Sequence, residues 1–322
     1  MFAPLKGIRV IDLTQVLAGP YATYQLALMG AEVIKVEPTT QGDWTRVGSA
    51  VPGHDAPGMG AGYLTQNADK QTLAVDLKSP QGLAIVQQLI AGADVFVENF
   101  KPGTAARLGL SFEAVSAVND KILYCSISAY GQDGPISHRP AYDHVVQGMC
   151  GIMRSTGTAD TEPNKVGAPY IDYATGLNAA FAIVSALHEQ RARPRAVHLD
   201  VAMLDSSLLL MASMLTQALT LGMQHRATGN EAHSRSPSSG AFETTDGMLM
   251  VAANNERQFR DLCKALGHPE WLTDERWATP QARARHVDPL RQLIEAKMRT
   301  RSAAQWEALL DKASVPAARC AT

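Results

Sequence analysis

The order of the apolar stretches is the feature that most constrains how this chain folds. Residues 8–14 form a nearly continuous apolar run rich in β-branched side chains, as is typical of a buried parallel strand. A stretch between Pro20 and Gly30 follows, and these two residues suit the beginning and the end of a helix. Residues 31–37 form a second strand-like run. Strand, helix and strand within about 30 residues predict a βαβ unit with a right-handed crossover.

The same alternation returns after a stretch rich in glycine, proline and polar residues at 40–70. Further strands are predicted at 72–77, 94–100, 121–130 and 196–202, and helices at 80–91, 112–118, 143–153 and 204–221. This pattern predicts a doubly wound α/β core, whose ligand site lies beyond the carboxyl ends of its strands.

The texture of the sequence changes at about residue 222. Residues 223–240 are polar and contain glycine and proline, which predicts a linker. Residues 241–253 are typical of a hairpin that turns at Asp246-Gly247, and helical patterns follow at 255–266, 290–299 and 303–313. We therefore expect a large domain over 1–222 and a smaller α+β domain over 241–322.

Composition and spacing argue against several functional classes. The net charge of −2 does not favour a nucleic-acid or anionic-membrane surface. Four scattered cysteines without a CxxC pair favour reduced thiols in a cytoplasmic protein, and the nine histidines show no metal-binding spacing. The apolar run 208–221 contains polar residues and is too short to span a bilayer. The glycines at 58–62 do not directly follow a strand, so a loop is expected there and not a dinucleotide fingerprint.

One acidic residue stands out in the stretch 165–188. Leu177, Phe181 and Val184 fall on one helical face, and Asp172 lies where the preceding loop turns into this helix. Asp172 is either a cap of the helix or a carboxylate nucleophile in a pocket of small residues. The stretch by itself leaves both interpretations open.

Polar or small residues also occur in four segments at predicted strand ends. They are 15–20, 98–103 with Arg107 just beyond, 128–135 and 139–143. Each is an ordinary turn by itself, but a doubly wound fold gathers such segments around one crevice. Nearby lysines and arginines would suit a phosphorylated ligand, although solvated surface charge is a common alternative.

Taken together, these pieces resemble the class III CoA-transferases, which include formyl-CoA transferase, the carnitine CoA-transferases and, as a branch, α-methylacyl-CoA racemase. The resemblance covers nearly the whole chain. The matching pieces occur in family order at 5–14, 18–20, 28–37, 42–43, 67–70, 76–82, 94–103, 129–135, 141–143, 172–176, 245–247 and 258–259.

The resemblance implies a Rossmann-like large domain, a small domain and an interlocked homodimer. It implies that Asp172 is the catalytic carboxylate, and that CoA and its thioesters are substrates and not tightly bound cofactors, with a small carboxylic acid as the other reactant. It also implies a CoA site whose members, from the adenine end to the acyl end, are Val16, Leu17, Ala18, Val75, Lys78, Asn99, Phe100, Arg107, Arg139 and Tyr142.

Three functions follow from this resemblance as hypotheses. The first is transfer of CoA from an acyl-CoA to a carboxylic acid, through an aspartyl mixed anhydride and an aspartyl-CoA thioester. The second is racemisation, which in that branch uses a His in a Gly-His-Asp element; here the element reads Ala-Tyr-Asp at 141–143, and His144 comes one residue late. The third is CoA binding without catalysis, since the family usually continues past Val315-Pro316 with a segment that returns to the large domain, and this chain ends at Thr322.

Overall fold

The computed structural model describes residues 2–47, 58–232 and 234–321. The chain divides into two compact units, which are described separately. The first unit comprises Met1–Met153 and Lys165–His225, and the second comprises Arg154–Asn164 and Arg226–Thr322.

The first unit is built on a six-stranded parallel sheet with the strand order β3-β2-β1-β4-β5-β6. This is the order of a dinucleotide-binding doubly wound sheet. The strands are β1 (Arg9–Asp12), β2 (Glu32–Glu37), β3 (Gln71–Ala74), β4 (Val95–Glu98), β5 (Leu123–Ser128) and β6 (Val197–Ala202). The helices are α1 (Ala18–Leu28), α2 (Ala61–Asn67), α3 (Pro80–Ala91), α4 (Thr104–Arg107), α5 (Phe112–Val118), α6 (Asp143–Cys150), α7 (Tyr170–Gln190), α8 (Met203–Leu210) and α9 (Ala212–Leu221).

Helices cover both faces of this sheet, because successive strand residues point to opposite sides. Val10 and Val97 pack with α1 and α7 in one apolar cluster, whereas Ile11 and Phe96 pack with α3 and α5 in another. The predicted α/β class with a parallel sheet is confirmed.

Two local predictions in this unit are wrong. Residues 204–221 do not form one helix, since α8 and α9 meet at Met211 with a bend of 80°. The predicted loop at 58–62 is also shorter, because α2 begins at Ala61 and is anchored by the buried Tyr63, over whose ring the Arg46 guanidinium lies at 3.8 Å. In the described part of the chain no single helix is long and apolar enough to cross a membrane. The bent pair α8 and α9 has the length and apolar composition of a span, but by those two criteria only.

The second unit is an antiparallel sheet with helices. Strands β7 (Ser239–Glu243) and β8 (Met248–Ala252) form the predicted hairpin, and β9 (Ala317–Arg319) pairs with β8. Its helices are α10 (Glu256–Leu266), α11 (Pro280–Arg285), α12 (Val287–Met298) and α13 (Ala303–Lys312), around a core that contains Trp277 and Trp306. Because β7 begins at Ser239, the last two residues of the predicted linker belong to a strand.

Candidate active site

A cavity of about 380 Å³ lies within the first unit, at segments that follow strands β1, β4 and β5. The four predicted segments meet here. The lining residues are Gln15, Val16, Leu17, Ala18, Asn99, Phe100, Lys101, Pro102, Ile127, Ser128, Ala129, Arg139, Pro140, Ala141, Tyr142, Asp172 and Met203. The topological rule for doubly wound sheets accounts for this position.

The remaining predicted site residues do not line this cavity. Val75 is buried beneath α3 in the apolar core, and its N–H donates to the Glu37 carbonyl at 2.8 Å. Lys78 is exposed just before α3. Arg107 is also exposed, and its guanidinium donates to Thr104 Oγ1 at 2.8 Å.

The turn between β1 and α1 forms one wall of the cavity, and its backbone is held by side chains. The Gln15 N–H donates to Asn99 Oδ1 at 2.8 Å, and Asn99 Nδ2 donates to the Gln15 carbonyl at 2.8 Å. The Val16 N–H donates to Asp43 Oδ2 at 3.1 Å. Val16 has φ of 75°, a left-handed conformation that is costly for a β-branched residue. The surrounding hydrogen bonds hold the turn in this strained form.

Two fully buried ion pairs support the same turn. Lys35 Nζ lies 3.2 Å from Asp43 Oδ2 and donates to the Thr14 carbonyl at 2.6 Å. Lys70 Nζ lies 3.0 Å from Asp12 Oδ2, and the Asp12 carboxylate also accepts the Thr14 N–H. Burial opposes ionisation of Asp12, but Lys70 and Lys35 hold its pKa below the usual value. The turn is therefore fixed by charged groups that water does not reach.

Asp172 lies in the first turn of α7, but Asp143 caps that helix. Asp143, at the start of α6, is buried, and its Oδ2 accepts the N–H groups of Ile171 at 2.8 Å and Asp172 at 3.3 Å. Pro169 precedes the helix and provides no side-chain cap. The interpretation of Asp172 as the cap is therefore wrong, and its side chain lines the cavity instead.

The environment of Asp172 disfavours the ionised form of its carboxyl group. Burial, and secondarily the nearby charge of Asp143, raise its pKa from 3.8 to about 7. A carboxylate that is poorly solvated is more reactive than one in water, and a pKa near neutrality leaves an ionised fraction at pH 7. The site thus combines an acid that is partly protonated with a cavity large enough for part of a ligand.

Close packing between α1 and α7 fixes Asp172 relative to the cavity wall. Gly176 lies one helical turn after Asp172, and a Cβ added there would come within 2.7 Å of the Ala18 carbonyl oxygen. The Tyr21 and Tyr173 rings meet edge to face beside it, with centroids 4.7 Å apart. Only glycine lets the two helices approach this closely.

Sequence reasoning did not assign several residues of this site. The predicted loops contain three of them, Gln15, Lys101 and Ser128, so their position at the cavity could be expected. Met203 could not be expected there, because its side chain is apolar. His144, the base of the racemase hypothesis, is exposed and is not among the lining residues; its ring stacks on Tyr142. Within the described ranges no cluster of three or more His, Cys, Asp or Glu residues could hold a metal ion.

Comparisons with known proteins agree with one another. The family model described as CoA-transferase family III matches residues 5–322. A succinate–glutarate CoA-transferase of Agrobacterium fabrum is 40% identical over 297 residues, covering 91% of this chain and 74% of that protein. An acetyl-CoA:oxalate CoA-transferase of Acetobacter aceti is 34% identical, covering 97% and 79%. The crystal structure of a CAIB/BAIF family protein from Brucella suis superposes with a TM-score of 0.89 at 35% identity, covering 100% of this chain and 85% of that one.

Proposed function

Since this chain belongs to CoA-transferase family III and is an enzyme of that class, we propose that it moves CoA from an acyl-CoA thioester to a carboxylic acid through covalent intermediates on Asp172. The observation that carries the proposal is the position of this carboxyl group. It lines the same cavity as the turn at 16–18, and Asp143 takes the place of Asp172 as the cap of α7.

The proposed reaction begins when the Asp172 carboxylate attacks the thioester carbonyl carbon. The C–S bond breaks, giving a mixed anhydride and CoA thiolate. The thiolate then attacks the aspartyl carbonyl, which releases the donor acid and leaves an aspartyl-CoA thioester. The acceptor carboxylate attacks this thioester, which releases CoA thiolate and forms a second mixed anhydride. The thiolate then attacks the acceptor carbonyl of that anhydride, which gives the new acyl-CoA and regenerates Asp172. Two covalent stages replace one difficult transfer, and the cavity must exclude water because an anhydride hydrolyses readily.

The proposed CoA site uses the cavity and the surface beside it. We assign the adenine end to Val16, Leu17 and Ala18, and the acyl end to Arg139 and Tyr142, which line the same cavity. Asn99 and Phe100 also line this cavity, and we assign them to the nucleotide and its phosphates. Val75, Lys78 and Arg107 stay proposed nucleotide contacts outside it, and the exposed cations of Lys78 and Arg107 suit phosphate groups.

The acceptor is proposed to be a short dicarboxylic acid. The named activities of the two relatives involve succinate, glutarate or oxalate. In this chain Arg139 and Lys101 supply two cationic side chains to the cavity lining, where one could pair with the carboxylate that does not react. We expect dicarboxylates to be used in preference to monocarboxylates of equal length, and Arg139→Gln to reduce that preference more than Arg154→Gln.

The protein is also proposed to form a homodimer and to act in the cytoplasm. Helix α9 buries none of its residues in this chain, and Leu219 and Leu221 are 77% and 69% exposed. An apolar surface of this kind is typical of an interface between subunits. The three buried free cysteines and the exposed Cys320 suit a reducing compartment. Sedimentation velocity would test the dimer, with Leu219→Glu expected to weaken it.

Trapping the covalent intermediate is the test of the function. The protein is incubated with acyl-CoA, then with hydroxylamine or borohydride, and the peptide containing Asp172 is analysed by mass spectrometry. We expect a hydroxamate or alcohol at Asp172 and none in Asp172→Asn. Unchanged turnover by Asp172→Asn would refute the mechanism. Deuterium uptake at Cα without any acceptor acid, lost in His144→Ala, would instead support racemisation.

A further inference from the structure

Val16, in the cavity wall, has the most strained backbone among the non-glycine residues described in the first unit. Val16 has φ of 75°, and the other non-glycine residue of this unit with a positive φ in the described ranges is Asp69, a residue type that adopts this conformation more readily. A strained β-branched residue persists only where its surroundings over-determine it. Such strain at a ligand cavity indicates that the shape of the wall matters for binding.

Asp43 is the side chain that holds Val16. It is fully buried, and its Oδ2 accepts the Val16 N–H at 3.1 Å and faces Lys35 Nζ at 3.2 Å. Its Oδ1 accepts the backbone N–H and the hydroxyl of Thr45 at 3.0 and 2.7 Å. The Asp43 N–H in turn donates to Glu37 Oε2 at 2.9 Å. Every polar atom of this side chain is used, so its position is rigid.

Asp43 does not line the cavity itself. We infer that Asp43 is a positioning residue for CoA, acting through the backbone of Val16, which it holds in the conformation that forms the adenine-binding wall. This inference rests on the proposed CoA site. Since we assign this turn to the adenine end of CoA, we expect the loss of Asp43 to weaken CoA binding more than it slows the chemical steps.

The experiment compares CoA binding and turnover in charge-matched variants. Asp43→Asn by itself strands Lys35 in the interior and risks unfolding, so the main variant is Lys35→Met/Asp43→Asn, with folding checked by circular dichroism. We expect CoA to bind about tenfold more weakly by calorimetry. Binding of pantetheine, which lacks the nucleotide, and kcat at saturating acyl-CoA should stay within about twofold of wild type.

A double-mutant cycle tests whether the effect passes through Val16. Glycine adopts a positive φ without strain, so Val16→Gly should make CoA affinity largely insensitive to the Lys35→Met/Asp43→Asn change. Ser314→Gly relieves a similar φ of 56° on the exposed surface of the second unit and should leave CoA binding unchanged. Additive losses in the cycle would overturn the role of Val16.

The outcomes separate this inference from the function on which it rests. If the wild-type protein does not bind CoA, the proposed function fails. If the wild type binds CoA and the Lys35→Met/Asp43→Asn variant binds it equally well, the positioning role fails and the function stands. A lower kcat with unchanged CoA affinity also overturns the inference, because the turn would then act at the reacting end.

Discussion

Replacing Asp172 by asparagine should destroy activity and stabilise the fold, and the stabilisation should depend on pH. The pKa of this carboxyl group is raised from 3.8 to about 7 by burial and by Asp143. Each pKa unit corresponds to about 1.4 kcal/mol, so the shift amounts to about 4 kcal/mol for a fully enclosed group. Partial exposure and the attraction of the helix N-terminus for an anion reduce the net gain to about 2 kcal/mol.

The sign follows from proton binding. Between pH 4 and 7 the unfolded chain has lost the Asp172 proton while the folded chain retains it, so folded-state stability falls as the pH rises through this window. Asparagine has no such dependence. The free energy of unfolding that Asp172→Asn gains over wild type should therefore be roughly a third of its maximum at pH 5 and reach that maximum above pH 7.

Urea unfolding followed by circular dichroism at pH 5 and pH 8 measures this difference, alongside a transferase assay. Asp288→Asn is the matched control, since Asp288 also lies in the first turn of a helix but is exposed. That variant should be no more stable than wild type at either pH. A stabilisation of Asp172→Asn that is equal at both pH values, or absent, would refute the argument from burial. Turnover above about one thousandth of wild type would refute the role of Asp172 as nucleophile.

Three further predictions concern the supports of the site. Asp143→Asn removes a charge that raises the pKa of Asp172, so the rising limb of the kcat/KM profile should move to lower pH. Gly176→Ala places a Cβ 2.7 Å from the Ala18 oxygen, so α7 must shift and kcat/KM should fall about 10- to 100-fold. Lys35→Met leaves a buried carboxylate without its partner, so the free energy of unfolding should fall by about 3–5 kcal/mol in denaturant titrations.

Each of these predictions has a control in the same chain. Burial also raises the pKa of Glu98 to about 7, so a limb of the profile near that pH is assigned to Asp172 only if it moves in Asp143→Asn. Gly167→Ala should leave kcat/KM unchanged, because nothing lies within 4 Å of the added Cβ. Arg9→Gln breaks an exposed ion pair and should cost less than about 1 kcal/mol. If Gly167→Ala lowered kcat/KM as much as Gly176→Ala, close helix packing would not be the cause. If Arg9→Gln lowered the free energy of unfolding as much as Lys35→Met, burial of the ion pair would not be the cause.

The fold was predictable wherever local patterns and topology agree. Alternating strands and helices gave the parallel sheet, and the rule for carboxyl strand ends gave the position of the cavity. The break between α8 and α9 was not predictable, because no proline or glycine marks Met211. The beginning of α2 at Ala61 was also not predictable, because the glycines around it indicate a loop, whereas the packing of Tyr63 anchors a helix there. Tertiary contacts outweigh local propensity at both places.

The role of Asp172 was ambiguous in the sequence because the deciding residue lies far away along the chain. A first-turn aspartate is an ordinary cap as long as the N–H groups of its helix have no other acceptor. Asp143, 29 positions earlier, accepts those N–H groups. The cap and the second acid are therefore the same group: by satisfying the helix, Asp143 frees the Asp172 carboxyl, and by its charge it helps to raise the pKa of that carboxyl. A local pattern records neither effect, which is why only the three-dimensional arrangement excludes the cap interpretation of Asp172.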